Sequence, residues 1–145
     1  MLDFTLPSNK DMDFKLGELN KPLIIFFYPR DNTPGCTIEN QDFATHYKDF
    51  VKLGYEIVGI SRDSINSHCK FADKFNLPFH LLSDVDEKVC NLFNVMKDKT
   101  MYGKAVRGIE RSTFILDSNK NIIKEWRKVK AETHVQEVLD YLANV

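Results

Sequence analysis

Leu23, Ile24, Ile25, Phe26, Phe27 and Tyr28 form an unbroken apolar run that Pro29 ends. That length suits a strand, and the absence of alternation means both of its faces are buried. A strand of this kind needs other structure packed above and below it, which points to an inner position in a layered α/β sheet. Residues 55–60 repeat the pattern and are followed by Ser61, and 79–82 form a shorter run after Pro78. Residues 113–116 and 121–126 flank the turn-rich Asp117, Ser118, Asn119 and Lys120, which predicts a hairpin.

Helical spacing fills the gaps. Phe43, Tyr47, Phe50 and Val51 recur as one core-facing stripe. A second helix is expected over 64–75, ending at Asn76 before Pro78. A short third one over 86–93 would turn Val89, Leu92 and Phe93 inward. A last helix over 132–142 would carry Val135, Val138, Leu139 and Leu142 on one face. Strands alternating with helices imply right-handed crossovers and a central mixed, mostly parallel sheet flanked by helices. A thioredoxin-like fold has that layout, although periodicity alone leaves a flavodoxin-like arrangement open.

No repeat, linker or low-complexity tract divides the 145 residues, so a single domain over 1–145 is expected. The formal net charge is -1, with acids and bases interspersed, and this argues against nucleic-acid or anionic-membrane partners. The short basic run Arg127, Lys128 and Lys130 reads as a solvated edge. The longest apolar run is far below the roughly 20 residues needed to cross a bilayer. The first residues carry an acid early and no basic, then apolar, leader pattern. Three well-separated cysteines do not form a secreted disulfide framework, so a reducing, cytoplasmic setting is expected.

Chemistry concentrates just after the first strand, from Tyr28 to Glu39. Thr33 suits an N-cap and Pro34 the first helical position, where a missing N–H costs nothing. Cys36 then falls in the first turn of a helix. Unpaired N–H groups and the positive end of the helix dipole favour a thiolate there, and the thiolate is the nucleophile. Gly35 leaves room beside it for a small substrate. The competing reading, a cysteine that packs as a small hydrophobe, sits poorly with Thr33, Thr37 and Glu39 around it.

Pro29, Thr33 and Cys36 have the spacing of the peroxiredoxin signature. The fuller pattern Tyr28, Pro29, Asp31, Thr33, Pro34, Gly35, Cys36, Thr37 and Glu39 resembles the bacterioferritin comigratory protein, or peroxiredoxin Q, branch. The likeness extends through residues 59–63, 77–79, 82–84, 101–104 and 108–114. It implies a thioredoxin-like fold and a thiol peroxidase that reduces hydrogen peroxide and organic hydroperoxides through a Cys36 sulfenic acid. A thiol would recycle it, with thioredoxin ahead of glutaredoxin or glutathione. It implies that Thr33 directs its hydroxyl at the thiolate and the peroxide, that Pro29 shields the pocket, that Arg111 holds the thiolate and peroxide oxygens, and that Glu39 orients Arg111. Arg107 is a possible decoy for Arg111. No cofactor is implied, and a monomer is expected.

The resemblance leaves the next step open. Members of the branch carry a resolving cysteine either where this chain has Gln41 or, in the later helix, at the position matching Ala72. Here Cys69 lies about one turn before Ala72, on a shared helix face, which makes it the candidate resolving residue. The alternative is a one-cysteine enzyme reduced directly by an external thiol, and Cys90 ranks behind both. His68 beside Cys69 does not suggest zinc, because no second ligand pair follows at short spacing. His46, His80 and His134 read as surface or structural. Two other functions fit the same architecture: a thioredoxin-type disulfide oxidoreductase, which would need a second cysteine near Cys36, and a non-catalytic binding module.

Overall fold

In the computed structural model, which describes residues 2–144, the apolar run becomes β3 (Leu23–Phe27), and all five residues are buried. Met1 and Val145, the two ends of the expected 1–145 domain, lie outside the described residues. β3 pairs in parallel with β4 (Glu56–Ser61), and β4 pairs in parallel with β5 (His80–Ser83). On its other side β3 pairs antiparallel with β8 (Ser112–Leu116), which pairs antiparallel with β9 (Ile122–Arg127). The far flank is a hairpin of β1 (Thr5–Ser8) and β2 (Met12–Lys15), giving the order β2-β1-β5-β4-β3-β8-β9. A separate ribbon pairs β6 (Met96–Met101) with β7 (Lys104–Ile109). The sheet is thus mixed, with a parallel centre and antiparallel flanks.

Alternation along β3 divides the interior in two. Leu23, Ile25 and Phe27 pack in a cluster with Phe4, Phe93 and Phe114, under the short helix α4 (Lys88–Leu92). Ile24, Phe26 and Tyr28 pack on the opposite face. That face is covered by α1 (Pro34–Thr45), α2 (Tyr47–Lys52), α3 (Ile65–Phe75) and α5 (His134–Ala143). Each fully buried aromatic here contributes about 1.5–3 kcal/mol relative to exposure. Phe26 is the hub of this face. It stacks on Phe43 at a centroid distance of 4.4 Å and meets Phe79 edge-on at 5.6 Å. Its ring lies across Gly59 so closely that a Cβ there would stand 2.7 Å from Phe26 Cζ.

Several sequence expectations change. The stripe from Phe43 to Val51 is broken at His46 (φ -99, ψ 8), which separates α1 from α2, so Val51 is exposed while Phe43 and Phe50 are buried. α4 is shorter than expected and turns Leu92 outward, keeping Val89 and Phe93 inside. The strands β1, β2, β6 and β7 carry no run that sequence periodicity singles out. Arg127 lies exposed on the edge strand β9, as expected, and there its guanidinium also donates to the carbonyls of Phe93 and Asn94 just past α4 and lies over the Phe114 ring. Among the described residues, no helix is long and apolar enough to cross a membrane.

Candidate active site

The site forms where β3 hands over to α1. Tyr28 extends the strand, its N–H bonding to the Ile60 carbonyl at 3.1 Å, and half-buried Pro29 turns the chain away. Asn32 adopts the left-handed region (φ 59), and Thr33 is the extended N-cap of α1 (φ -97, ψ 155) with Pro34 following. The Thr33 hydroxyl does not cap the helix; it donates to the Arg30 carbonyl at 2.9 Å. Its oxygen lone pairs stay free to accept a hydrogen bond from a substrate. The N–H groups of Gly35 and Cys36 consequently have no capping side chain and remain donors at the helix start.

Cys36 is 1% exposed. Its Sγ accepts a hydrogen bond from Arg111 Nη2 at 3.4 Å, and Arg111 Nη1 donates to Glu39 Oε1 at 2.7 Å. Arg111 reaches the sulfur by passing over Gly35, where a Cβ would lie 3.2 Å from Nη2. Glu39 is fully buried, and burial raises its carboxyl from 4.5 to about 7, outweighing the opposing pull of Arg111. Its Oε2 has no hydrogen-bond partner among the described residues. Burial works against the Arg111 charge, but Glu39 and Cys36 more than offset it and raise its pKa. Behind the arginine, buried His134 bonds Thr113 Oγ1 at 2.6 Å and Glu137 Oε1 at 3.0 Å. Burial, helped by Arg111, pushes its pKa down.

Thus Cys36, Arg111 and Glu39 are in direct contact, Thr33 borders the same helix start, and Pro29 sits at the strand end. Arg107 lies elsewhere, donating to Asn91 Oδ1 at 3.1 Å and approaching Glu87 at 3.9 Å. Cys69 does not share Ala72's surroundings. Ala72 packs in the cluster that holds Cys36, whereas half-buried Cys69 directs its thiol to the Asn9 carbonyl at 3.5 Å, toward the β1–β2 turn. Cys90 is fully buried on the opposite face, where burial and then Asp84 push its thiol well up.

One cluster escaped sequence reasoning. Asp31 Oδ1 accepts from the Tyr28 hydroxyl at 2.6 Å, and Oδ2 accepts from Ser67 at 2.8 Å and faces His68 Nδ1 at 2.7 Å. The Asp31 N–H donates to Asp63 Oδ2 at 2.8 Å, which also accepts from the Ser61 hydroxyl at 2.5 Å. His68 Nε2 lies 3.0 Å from the Leu82 carbonyl. Burial, with Asp31 adding to it, pushes the Tyr28 hydroxyl well up. Asp31, Asp63 and His68 bring ligand-type atoms within 4.8 Å of one another, but each is engaged in these hydrogen bonds. Asp63, Ser67 and His68 stand more than thirty positions from Asp31 in the chain, and Ser67 and His68 fall outside the pattern that carries the resemblance.

Chemically, the arrangement surrounds one sulfur with a guanidinium and the donors of a helix start. Such donors stabilise negative charge on the sulfur and on an atom that the sulfur displaces from a substrate. Residues 1–125 match the AhpC/TSA family. The chain is 44% identical over 144 residues to peroxiredoxin Bcp of Bacillus subtilis, covering 99% of this chain and 92% of that one. It is 50% identical over 117 residues to peroxiredoxin Bcp of Xanthomonas campestris, covering 81% and 73%. A solved structure of the Xanthomonas campestris bacterioferritin comigratory protein, studied for its alkyl peroxide reduction activity, superposes with a TM-score of 0.92. The identity there is 43%, with 97% of this chain and 90% of that chain covered.

Proposed function

Since the chain belongs to the AhpC/TSA family and to its Bcp/peroxiredoxin Q group, it is a thiol-dependent peroxidase, and we propose that Cys36 is its nucleophile. The observation that carries this assignment is the Arg111 guanidinium, anchored by Glu39 and aimed at Cys36 Sγ. The thiolate attacks one peroxide oxygen, an S–O bond forms, and the O–O bond breaks. The electron pair leaves on the second oxygen, which takes a proton to give water or an alcohol. Sulfur is oxidised by two electrons to the sulfenic acid, and the peroxide is reduced by two. Arg111 and the N–H groups of Gly35 and Cys36 surround the negative charge as it moves, while the Thr33 oxygen accepts a hydrogen bond from the peroxide O–H. Pro29 closes the strand side against water, and Glu39 keeps Arg111 in register.

Recycling proceeds by an external thiol, with a thioredoxin-type protein first among candidates and glutaredoxin or glutathione behind it. One thiol condenses with the sulfenic acid, releasing water and leaving a mixed disulfide; a second thiol attacks that disulfide and returns Cys36. The placement of Cys69 supports this direct route, because its thiol is directed to the Asn9 carbonyl, outside the cluster that holds Cys36, and an intramolecular bond would require it to leave that contact. Hydroperoxides are the substrates, the protein works as a monomer, and a reducing cytoplasm is its setting.

The test is peroxide turnover coupled to thioredoxin, in the wild type and in Cys36→Ser. The variant is expected to lose activity by orders of magnitude, and turnover above about one per cent of wild type would overturn the assignment. Peptide mapping under non-reducing conditions after one equivalent of peroxide should give a dimedone-trappable Cys36 and a free Cys69. A Cys36–Cys69 disulfide would instead replace the direct route with the two-cysteine one.

A further inference from the structure

We propose that Asp31 and His68 are positioning residues that clamp the upstream end of the Cys36 segment to α3, and so set how often the first turn of α1 opens to the reducing thiol. The inference rests on Cys36 as the peroxidatic residue and concerns the second half of its cycle.

The closed site cannot complete that half alone. Cys36 is 1% exposed and lies under Arg111. A protein thiol must bring its sulfur to a bonding distance of about 2 Å, so α1 has to open locally first. The opening segment needs two fixed ends. Downstream, Phe43 is stacked on Phe26 at 4.4 Å and fully buried, which ties the later turns of α1 to the sheet. Upstream, Asp31 is held through its backbone and both carboxylate oxygens, by Asp63 beyond β4, by Tyr28, and by Ser67 and His68 of α3. His68 is fully buried and ties this knot to β5 through the Leu82 carbonyl.

Just downstream of Asp31 the restraints are slight, and they strengthen only at Cys36 and Glu39, which Arg111 holds, and at Asn40, whose side chain donates to the Cys36 carbonyl at 2.9 Å. Asn32 is exposed, sits in the left-handed region, and its side chain accepts from the exposed Lys74 at 3.3 Å. Thr33 holds Arg30, and no side chain caps the helix. The chain therefore opens just downstream of Asp31. How far the opening spreads depends on whether Asp31 stays seated, since losing one partner leaves a buried polar group unsatisfied, a penalty worth a factor of about ten or more in an opening equilibrium.

Two substitutions at one position separate the contact from the residue's bulk. The amide nitrogen of His68→Asn falls near the place of Nδ1 and keeps the Asp31 contact. That of His68→Gln falls near Nε2 and keeps Leu82 but abandons Asp31. Tyr28→Phe removes only the hydroxyl and keeps the ring. Three readouts are needed on the full chain: amide exchange of residues 33–40, the first-turnover rate with hydrogen peroxide, and Cys36 sulfinic acid per turnover with dithiothreitol as reductant. Sulfinic acid forms when a second peroxide oxidises the sulfenic acid before a thiol arrives.

We expect His68→Gln and Tyr28→Phe to speed exchange over 33–40 about tenfold, to lower sulfinic acid per turnover, and to leave the first turnover within about threefold of wild type, with His68→Asn, which loses only the Leu82 contact, staying closer to wild type than either in exchange over 33–40. Unchanged exchange over 33–40 in His68→Gln would overturn the clamp. So would an equal rise in exchange over β3, which marks general destabilisation, or a His68→Asn variant that behaves like His68→Gln. A wild-type Cys36 that keeps its thiol under peroxide would remove the catalytic premise itself, an outcome distinct from any difference among variants of an active enzyme.

Discussion

Replacing Glu39 with glutamine changes one atom of a fully buried side chain, and its effect should reverse sign between stability and catalysis. Raising a carboxyl from 4.5 to about 7 penalises its charged form in the folded state by roughly 3 kcal/mol. Below pH 4.5 Glu39 is protonated both folded and unfolded, and no penalty exists. As pH rises, the unfolded chain ionises first while the folded carboxyl is held back, so stability is lost until pH passes about 7 and the loss levels off. The Glu39→Gln variant has no such group. Its stability relative to wild type should therefore rise by about 3 kcal/mol between acid and pH 8 or so. Exchanging the neutral carboxyl for an amide beside Arg111 Nη1 adds an offset that does not vary with pH, so the slope is the diagnostic and the absolute gap is not. Urea unfolding in reducing buffer, followed by Trp126 fluorescence across that range, measures it. A gap that stays constant with pH would refute the reasoning, because it would mean Glu39 is already ionised without penalty. The same variant should reduce peroxide about tenfold more slowly, since Arg111 loses the charged partner that aims it at Cys36.

Arg111→Ala should lower the second-order rate with peroxide by a factor on the order of 10²–10³, the usual loss for a donor facing developing charge. Stopped-flow oxidation of the reduced enzyme checks it, and a loss below about threefold would place the stabilising charge elsewhere. Gly35→Ala should favour the helix by about 0.5–1 kcal/mol yet slow the reaction several-fold, because the new methyl would stand 3.2 Å from Arg111 Nη2 and push it off Sγ. An alanine variant of unchanged rate would show that the guanidinium yields at no cost.

Local sequence carried much of this architecture. The two-sided apolar run at β3 announced a buried strand, and Thr33, Pro34 and Cys36 announced a helix start with sulfur in its first turn. Both signals are short-range, and both survive in the structure. β1 alternates exposed and buried positions over only four residues, with Pro7 among them, and β7 is exposed along most of its length, so neither the hairpin nor the ribbon left a run long enough to read. Val51 and Leu92 were misassigned for a related reason: periodicity marks a face, but the chain turn at His46 and the shortness of α4 decide which residues reach it. The Arg111–Glu39 contact was expected only from resemblance, since nothing local separates Arg111 from Arg107. The Asp31–His68 pair had no signal at all, because its meaning lies in a contact made by folding.

The crossing of Phe26 over Gly59 bears on how relatives of this chain can diverge. A methyl at position 59 would overlap the ring at 2.7 Å, so the neighbouring strands leave no room for independent change at the two sites. Substitution at 59 would have to follow a shrinking of the side chain at 26, and that shrinking would remove the ring on which Phe43 of α1 rests. The ordering is a ratchet. Drift at a silent backbone glycine is blocked by an aromatic whose loss would first loosen the helix that carries the reactive sulfur. Among descendants that keep Phe26, position 59 should stay glycine even where the surrounding strand residues exchange freely.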